Sequence, residues 1–241
     1  MLARSAKALL SGLIDYAGLF PPAALSMEET VRNYARYREG EHAWILGKFV
    51  VPEARAGEVP EEFPKSVLGI DEVKADTGFE SIKPRTFVEI ADVGLIPELA
   101  SHGLHAKIRT GGVTPEAIPH PDRVATFIRI CAMHAVPFKA TAGLHHPVRC
   151  MRALTYEVNS QRATMHGFVN VFMAAAFPHD AERILAEEDP KAFRFEDDAA
   201  WWRDHAVTTE HLEAVRREFA ISFGSCSFEE PIADLQELGW L

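Results

Sequence analysis

Short apolar runs alternate with helical patterns along almost the whole chain, and no other feature restricts its fold more. The runs fall at residues 12–19, 44–51, 66–70, 86–90, 105–110, 138–142 and 220–224, each with the length and composition of a buried strand. Helix start signals stand between several of them. Ser26 precedes Glu28 and Glu29 and opens a pattern over 27–38; Thr114 with Pro115 opens a short turn; Asp122 can cap 123–135. Thr208 or Thr209 can cap 210–219, where Leu212, Val215 and Phe219 share a face. Strand followed by helix, repeated, builds a parallel sheet. Seven strands, with an eighth at 168–172 unless 165–177 is helical, predict an α/β fold of the TIM-barrel-like (βα)8 kind, one domain over residues 1–241. No GxGxxG follows the first strand, which lowers the Rossmann alternative.

Residues 187–207 break the alternation just before the last helix-strand unit. Phe193, Phe195, Trp201 and Trp202 surround Glu196, Asp197 and Asp198, the pattern of a small hairpin near the active face. A surface loop packed by its own aromatics is preferred over a mobile lid.

Formal charge is −10, from 25 basic and 35 acidic residues, and no basic stripe with interleaved aromatics occurs, so nucleic acid is not an expected partner. No apolar stretch reaches the ~20 residues of a bilayer span, and no membrane partner is expected. Three cysteines, Cys131, Cys150 and Cys226, lack CxxC spacing and read as free thiols. Residues 1–13 do not read as a secretory leader. A cytoplasmic protein is the expectation.

Candidate chemistry follows from strand register, because successive side chains of a strand face opposite sides. If Ala106 and Ile108 face covering helices, then His105, Lys107 and Arg109 face the interior. Phe138, Ala140 and Ala142 on the helix side send Lys139 and Thr141 inward; Val88 and Ile90 do the same for Glu89. Three successive strands thus aim Glu89, Lys107, Arg109 and Lys139 into one space. Unpaired buried charges cost several kcal/mol each, so the group is either a buried ion-pair network or an active site at the C-terminal strand ends. Gly111 and Gly112 follow Arg109 in a turn, where backbone N–H groups can converge on an anion. The expected partner is a small carboxylated or phosphorylated metabolite. Glu89, Asp15 at the first strand's end, and His145 are candidate proton carriers.

Lys139-Ala140-Thr141-Ala142-Gly143 resembles the Lys-Thr-x-Thr-Gly strand of class I aldolases of the deoxyribose-phosphate type. In that family a later strand carries a second lysine ahead of a Gly-Gly phosphate loop, which is similar to Lys107–Gly112 with the two strands in reversed order. The resemblance implies a lyase in which Lys139 forms a Schiff base, with no cofactor. On physical grounds a nearby cation together with desolvation lowers a lysine's pKa toward the neutral nucleophile, and Lys107 or Arg109 is the candidate cation. Two longer signatures, residues 14–22 and 223–231, are similar to segments of uncharacterised bacterial proteins and imply no chemistry.

Other readings use the same residues. His145 and His146, with Glu89 and Asp15, are candidate ligands of a divalent metal such as Zn for hydrolase or lyase chemistry; adjacent histidines in an extended segment point apart, so one at most serves a given ion. His166 reads as a capping or core histidine. Cys226, between Ser225 and Ser227, precedes a helix at 231–238 whose N-terminus can lower a thiol pKa. With no partner histidine in its sequence context, Ser225 and Cys226 read as pocket lining. Tyr16 and Phe20, before Pro21-Pro22, read as core packing, the alternative being a subunit contact of a homo-oligomer. Non-catalytic binding of a small anion is the third reading.

Overall fold

In the computed structural model, which describes residues 2–241, eight parallel strands close into a barrel. They are β1 (Ile14–Tyr16), β2 (Leu46–Pro52), β3 (Lys65–Leu68), β4 (Glu72–Lys74), β5 (Phe87–Glu89), β6 (His105–Arg109), β7 (Phe138–Thr141) and, after two small accessory sheets, β13 (Ala220–Ser225). The order around the barrel is β1-β13-β7-β6-β5-β4-β3-β2, with every neighbouring pair parallel. This is the TIM-barrel-like α/β fold.

Helices cover the barrel unevenly. α1 (Arg4–Leu10) precedes β1, α2 (Met27–Glu39) joins β1 to β2, α3 (Ile96–Ser101) and α4 (Pro121–Met133) flank β6, and α8 (Glu229–Glu237) follows β13. Ser26 caps α2 by accepting from the Glu29 N–H at 3.2 Å, and acidic residues in its first turn with basic ones in its last complement the helix dipole. Pro121 opens α4, where its missing N–H costs nothing. His120, not Asp122, stands at the cap; Asp122 lies in the first turn.

The eighth strand is not at 168–172. That segment is α5 (Phe168–Ala176), with eight of its residues buried, and the Asn170 amide donates to the Ile184 and Glu187 carbonyls at 2.6 and 2.8 Å. An apolar run ending in three alanines favours helix once it is covered on all sides. The strand that completes the barrel is β4, three residues long and polar at both ends. The chain reaches it from β3 by a turn at Gly69, φ +104°, with the Asp71 N–H donating to the Val67 carbonyl at 2.8 Å and no helix between.

Two antiparallel elements lie between β7 and β13. β8 (Cys150–Ala153) and β9 (Arg162–Met165) form a hairpin. After α6 (Ala181–Leu185), β10 (Phe193–Phe195), β11 (Ala199–Trp202) and β12 (His205–Thr208) form a three-stranded sheet, so the insertion is a sheet rather than a hairpin. α7 (Thr209–Glu218), capped by Thr208 through the His211 N–H, then leads into β13. The three-stranded sheet packs on α1, where the Ser5 N–H donates to the Glu196 carbonyl at 3.2 Å, and on Trp240, whose ring lies 5.2 Å from that of Phe195. It lines none of the central cavity. The β8–β9 hairpin does, through Leu154 and Met165. Among the described residues no helix is long and apolar enough to cross a membrane.

Candidate active site

Register places the inward charges as the strand alternation predicts. Glu89 lies opposite Lys107, and Lys107 opposite Lys139, while Val88, Ala106, Phe138 and Ala140 are buried on the other side. The inner end of the group is the most enclosed. Lys139 Nζ lies 2.8 Å from Asp15 Oδ2 and 2.6 Å from Glu72 Oε1, above the Phe87 ring. Glu72 turns its second oxygen to Lys107 Nζ at 2.9 Å; Lys107 also meets Glu89 at 3.2 Å, and Glu89 meets Arg109 Nε at 3.3 Å. The result is one chain of alternating charge, Asp15–Lys139–Glu72–Lys107–Glu89–Arg109, buried at Asp15 and open at Arg109, whose side chain is 53% exposed.

Hydrogen bonds fix the buried end. The Lys48 N–H donates to Asp15 Oδ1 at 2.7 Å, Ser222 Oγ to Asp15 Oδ2 at 2.7 Å, and Ser66 Oγ to Glu72 Oε1 at 2.5 Å. Gly47 is required here because a Cβ would strike the Asp15 carboxylate. Burial alone would raise the Glu72 carboxyl; the Lys139 and Lys107 ammonium groups outweigh it and hold the group down at about 2. Burial alone would neutralise Lys139, but Asp15 and Glu72 hold it well above the ordinary lysine range. That setting is the opposite of what imine formation needs, since only the neutral amine is nucleophilic. The nucleophilic role expected for Lys139 therefore does not fit its surroundings, nor does a proton-carrying role fit Asp15, whose two oxygens are already engaged.

Above this chain lies a cavity of about 950 Å3 at the C-terminal strand ends, where active sites of such barrels form. Lys74, Lys107, Arg109 and Lys139 face it against only two carboxylates, Glu72 and Glu89; Gly111, Gly112, Thr141, His145 and Cys226 line its walls, and Phe20, Pro21 and Pro22 its rim. Ser225 is buried behind the wall, its Oγ accepting from the Ser227 N–H. Tyr16 is core, in an aromatic group with Tyr34, Tyr37 and Phe49. The two glycines have a packing reason. A Cβ on Gly111 would stand 2.8 Å from Gly143 Cα, and one on Gly112 2.7 Å from Ala117 Cβ, so the loops after β6 and β7 touch backbone to backbone.

Both histidines after β7 turn toward α8, not apart. His145 Nδ1 lies 2.8 Å from Glu230 Oε2 and His146 Nδ1 2.6 Å from Asp234 Oδ2; the carboxylates are four residues apart and so share one helix face. Asp15 and Glu89 are tied to lysines elsewhere, and among the described residues no three His, Cys, Asp or Glu side chains gather as a metal-ligand set. His145 Nε2 faces Cys226 Sγ at 3.9 Å. Burial would lower the His145 pKa, but the hydrogen bonds with Cys226 and Glu230 raise it to about 9. His166 is a core histidine: Nε2 meets the Pro119 carbonyl at 2.7 Å, Nδ1 has no partner, and burial pushes the ring down to about 4.

Three functional groups escaped the sequence. Glu72 and Lys74 lie in a strand too short to show a period, and Glu230 reaches His145 across 85 residues. For Glu72 a signal existed in Ser66, Glu72 and Lys74 standing near a run of apolar residues, but not one that separates a strand from a polar loop. The chain matches no protein-family model, no curated protein and no solved structure, so its function has to be read from the site itself.

Proposed function

We propose that the protein is an enzyme acting on a small carboxylated or phosphorylated carbonyl compound by lysine-dependent lyase chemistry of the class I aldolase type, with Lys107 rather than Lys139 as the amine. One observation carries this reading: two lysines on neighbouring strands, in register, share the two oxygens of Glu72. The inner one, Lys139, is a fixed cation. The outer one is likewise paired with two carboxylates, Glu72 at 2.9 Å and Glu89 at 3.2 Å, but it lines the cavity beside Glu89, which is shared with Arg109 at the open end and gives its proton a way out. Lys107 yields a proton to Glu89 and adds to the substrate carbonyl carbon. The carbinolamine then expels water, the proton for which comes back from Glu89, and leaves an iminium. As the β-hydroxyl gives its proton to Glu89 and departs as an aldehyde, the electrons of the α–β carbon bond move into the iminium. The resulting enamine takes a proton at carbon and is hydrolysed by water to free Lys107. Arg109 and Lys74 hold the substrate's anionic group at the open end. The three free thiols accord with a cytoplasmic setting.

Borohydride reduction in the presence of pyruvate or glyceraldehyde 3-phosphate, followed by peptide mass mapping, tests the assignment. An adduct on Lys107 that disappears in Lys107→Met supports it. Binding of these compounds without any adduct rejects it in favour of non-catalytic anion binding.

A further inference from the structure

Cys226, His145 and Glu230 stand in the order nucleophile, base, orienting group, and none of them is used by the amine chemistry of Lys107. Cys226 leaves the end of β13, His145 the loop after β7, and Glu230 the first turn of α8. Nδ1 meets Glu230 at 2.8 Å and Nε2 meets the Cys226 sulfur at 3.9 Å, so the ring can carry the proton that the thiol gives up. Tyr156, from the β8–β9 hairpin, donates to the same Glu230 oxygen at 3.3 Å and steadies it. Sulfur and imidazole both face the cavity. His146 and Asp234 make the same hydrogen bond one helical turn further along α8 but do not line the main cavity, so an imidazole–carboxylate clamp alone is not what distinguishes His145.

The position of the thiol suggests what it acts on. Arg109, Thr141 and Gly224 are in register across β6, β7 and β13, and Cys226 lies two residues beyond Gly224, about 7 Å further up the wall and two strand spacings, roughly 10 Å, around it from Arg109. The long Arg109 side chain spans part of that gap, so a short acyl chain whose terminal carboxylate or phosphate sits on its guanidinium can present its carbonyl to the sulfur.

We propose that Cys226 is a catalytic nucleophile for acyl transfer from small anionic esters or thioesters, with His145 as the acid–base group that carries its proton and Glu230 as a positioning residue. With that proton on His145 Nε2, the sulfur adds to the carbonyl carbon and the S–C bond forms. The bond from the carbonyl carbon to the leaving oxygen or sulfur breaks, and His145 protonates that leaving group. Water then adds to the thioester, gives its proton to His145, and releases the carboxylic acid as the proton returns to sulfur. This chemistry does not rest on an imine at Lys107.

The test uses mono-4-nitrophenyl succinate and 4-nitrophenyl acetate as anionic and neutral probes, with nitrophenol release and peptide mass mapping as readouts. Acylation is expected at Cys226, on the order of tenfold faster for the succinate ester, with the preference lost in Arg109→Met. His145→Gln should slow acylation about 100-fold, the low end for a general base. Glu230→Gln should slow it while Glu230→Asp restores most of the rate, and this pair keeps the test alive if His145→Gln does not fold. Cys150→Ser, on the hairpin, should acylate Cys226 like the parent, and an adduct mapped to Cys226 with no carbonyl compound or borohydride present separates this proposal from the imine reading. Acylation of Cys226 no faster than of Cys150, or equal rates with and without His145, would overturn it.

Discussion

At the residue scale the decisive fact is that Glu72 serves two lysines at once. Removing one partner from a buried network strands the other charges, at a cost of roughly 3–5 kcal/mol. Glu72→Gln is therefore expected to lower stability by about that much in urea denaturation, whereas Arg109→Met, at the exposed end, should cost less than about 1 kcal/mol. Equal losses would mean that the chain of charges is not what holds the barrel interior. Protonation gives the same site a pH signature. Glu72 has a folded pKa depressed to about 2, so its contribution is present above its unfolded value and is lost as the pH falls through the acid range toward 2. His166, depressed to about 4, contributes above its unfolded value near 6.5 and loses that contribution between there and 4. His145 has the opposite sign. Raised to about 9, it stabilises fully below 6.5 and ceases to do so as the pH rises through 9. Urea midpoints should thus decline first between pH 6.5 and 4, and His166→Gln should flatten that limb alone; an unchanged limb in that variant would assign the acid sensitivity elsewhere.

At the element scale, most strands were legible because they are buried on both faces and so run as apolar clusters bounded by turns. β4 was not, since Glu72 and Lys74 are polar and only Val73 between them is apolar, and three residues cannot establish a period. α5 was ambiguous for the converse reason: a helix covered all round loses its polar stripe and reads like an inner strand. Inward charges on β5, β6 and β7 were legible through alternation, but their partners were not, because Asp15 meets Lys139 across 124 residues and only closure of the barrel brings them together. The same holds for Cys226, whose histidine lies 81 residues away. The loops after β6 and β7 owe their position to a glycine contact. Gly143 has φ +75°, and a Cβ there would stand 2.7 Å from Gly111 Cα. Gly143→Ala combines a left-handed backbone with a backbone clash, and should destabilise by more than the ~1 kcal/mol that the same change can contribute to stability at a compatible site. It should also displace Arg109 and His145 together, weakening ester acylation at Cys226. Loss of stability with unchanged acylation would show that the two loops move independently.

At the scale of the whole molecule, a chain of net charge −10 presents a cavity in which cations outnumber carboxylates. The acidic exterior repels an approaching anion while the cavity attracts it, so recognition must come from the few charges at the barrel mouth rather than from a general field. Lys139 is committed to internal partners, and Lys107, paired with Glu72 and Glu89, is the reacting amine rather than an anion clamp. The charges available to a ligand are Arg109, beyond its single bond to Glu89, and the exposed Lys74. A ligand that binds only the folded state stabilises it by about 2.7 kcal/mol at a hundred times its Kd, and at this chain length that is a rise of roughly 5–11 °C in Tm. Succinate or inorganic phosphate at saturating concentration should produce such a shift, and glucose should not. Because Arg109 and Lys74 are open to solvent, the shift should shrink as ionic strength rises and the screening length falls from about 30 Å at 0.01 M to about 8 Å at 0.15 M. Double replacement, Lys74→Met with Arg109→Met, should remove the anion-dependent shift while leaving the Tm without ligand within about 2–4 °C of the parent. If glucose stabilises the protein and the acids do not, or if the double variant keeps the full anion shift, the mouth of the barrel is not an anion site.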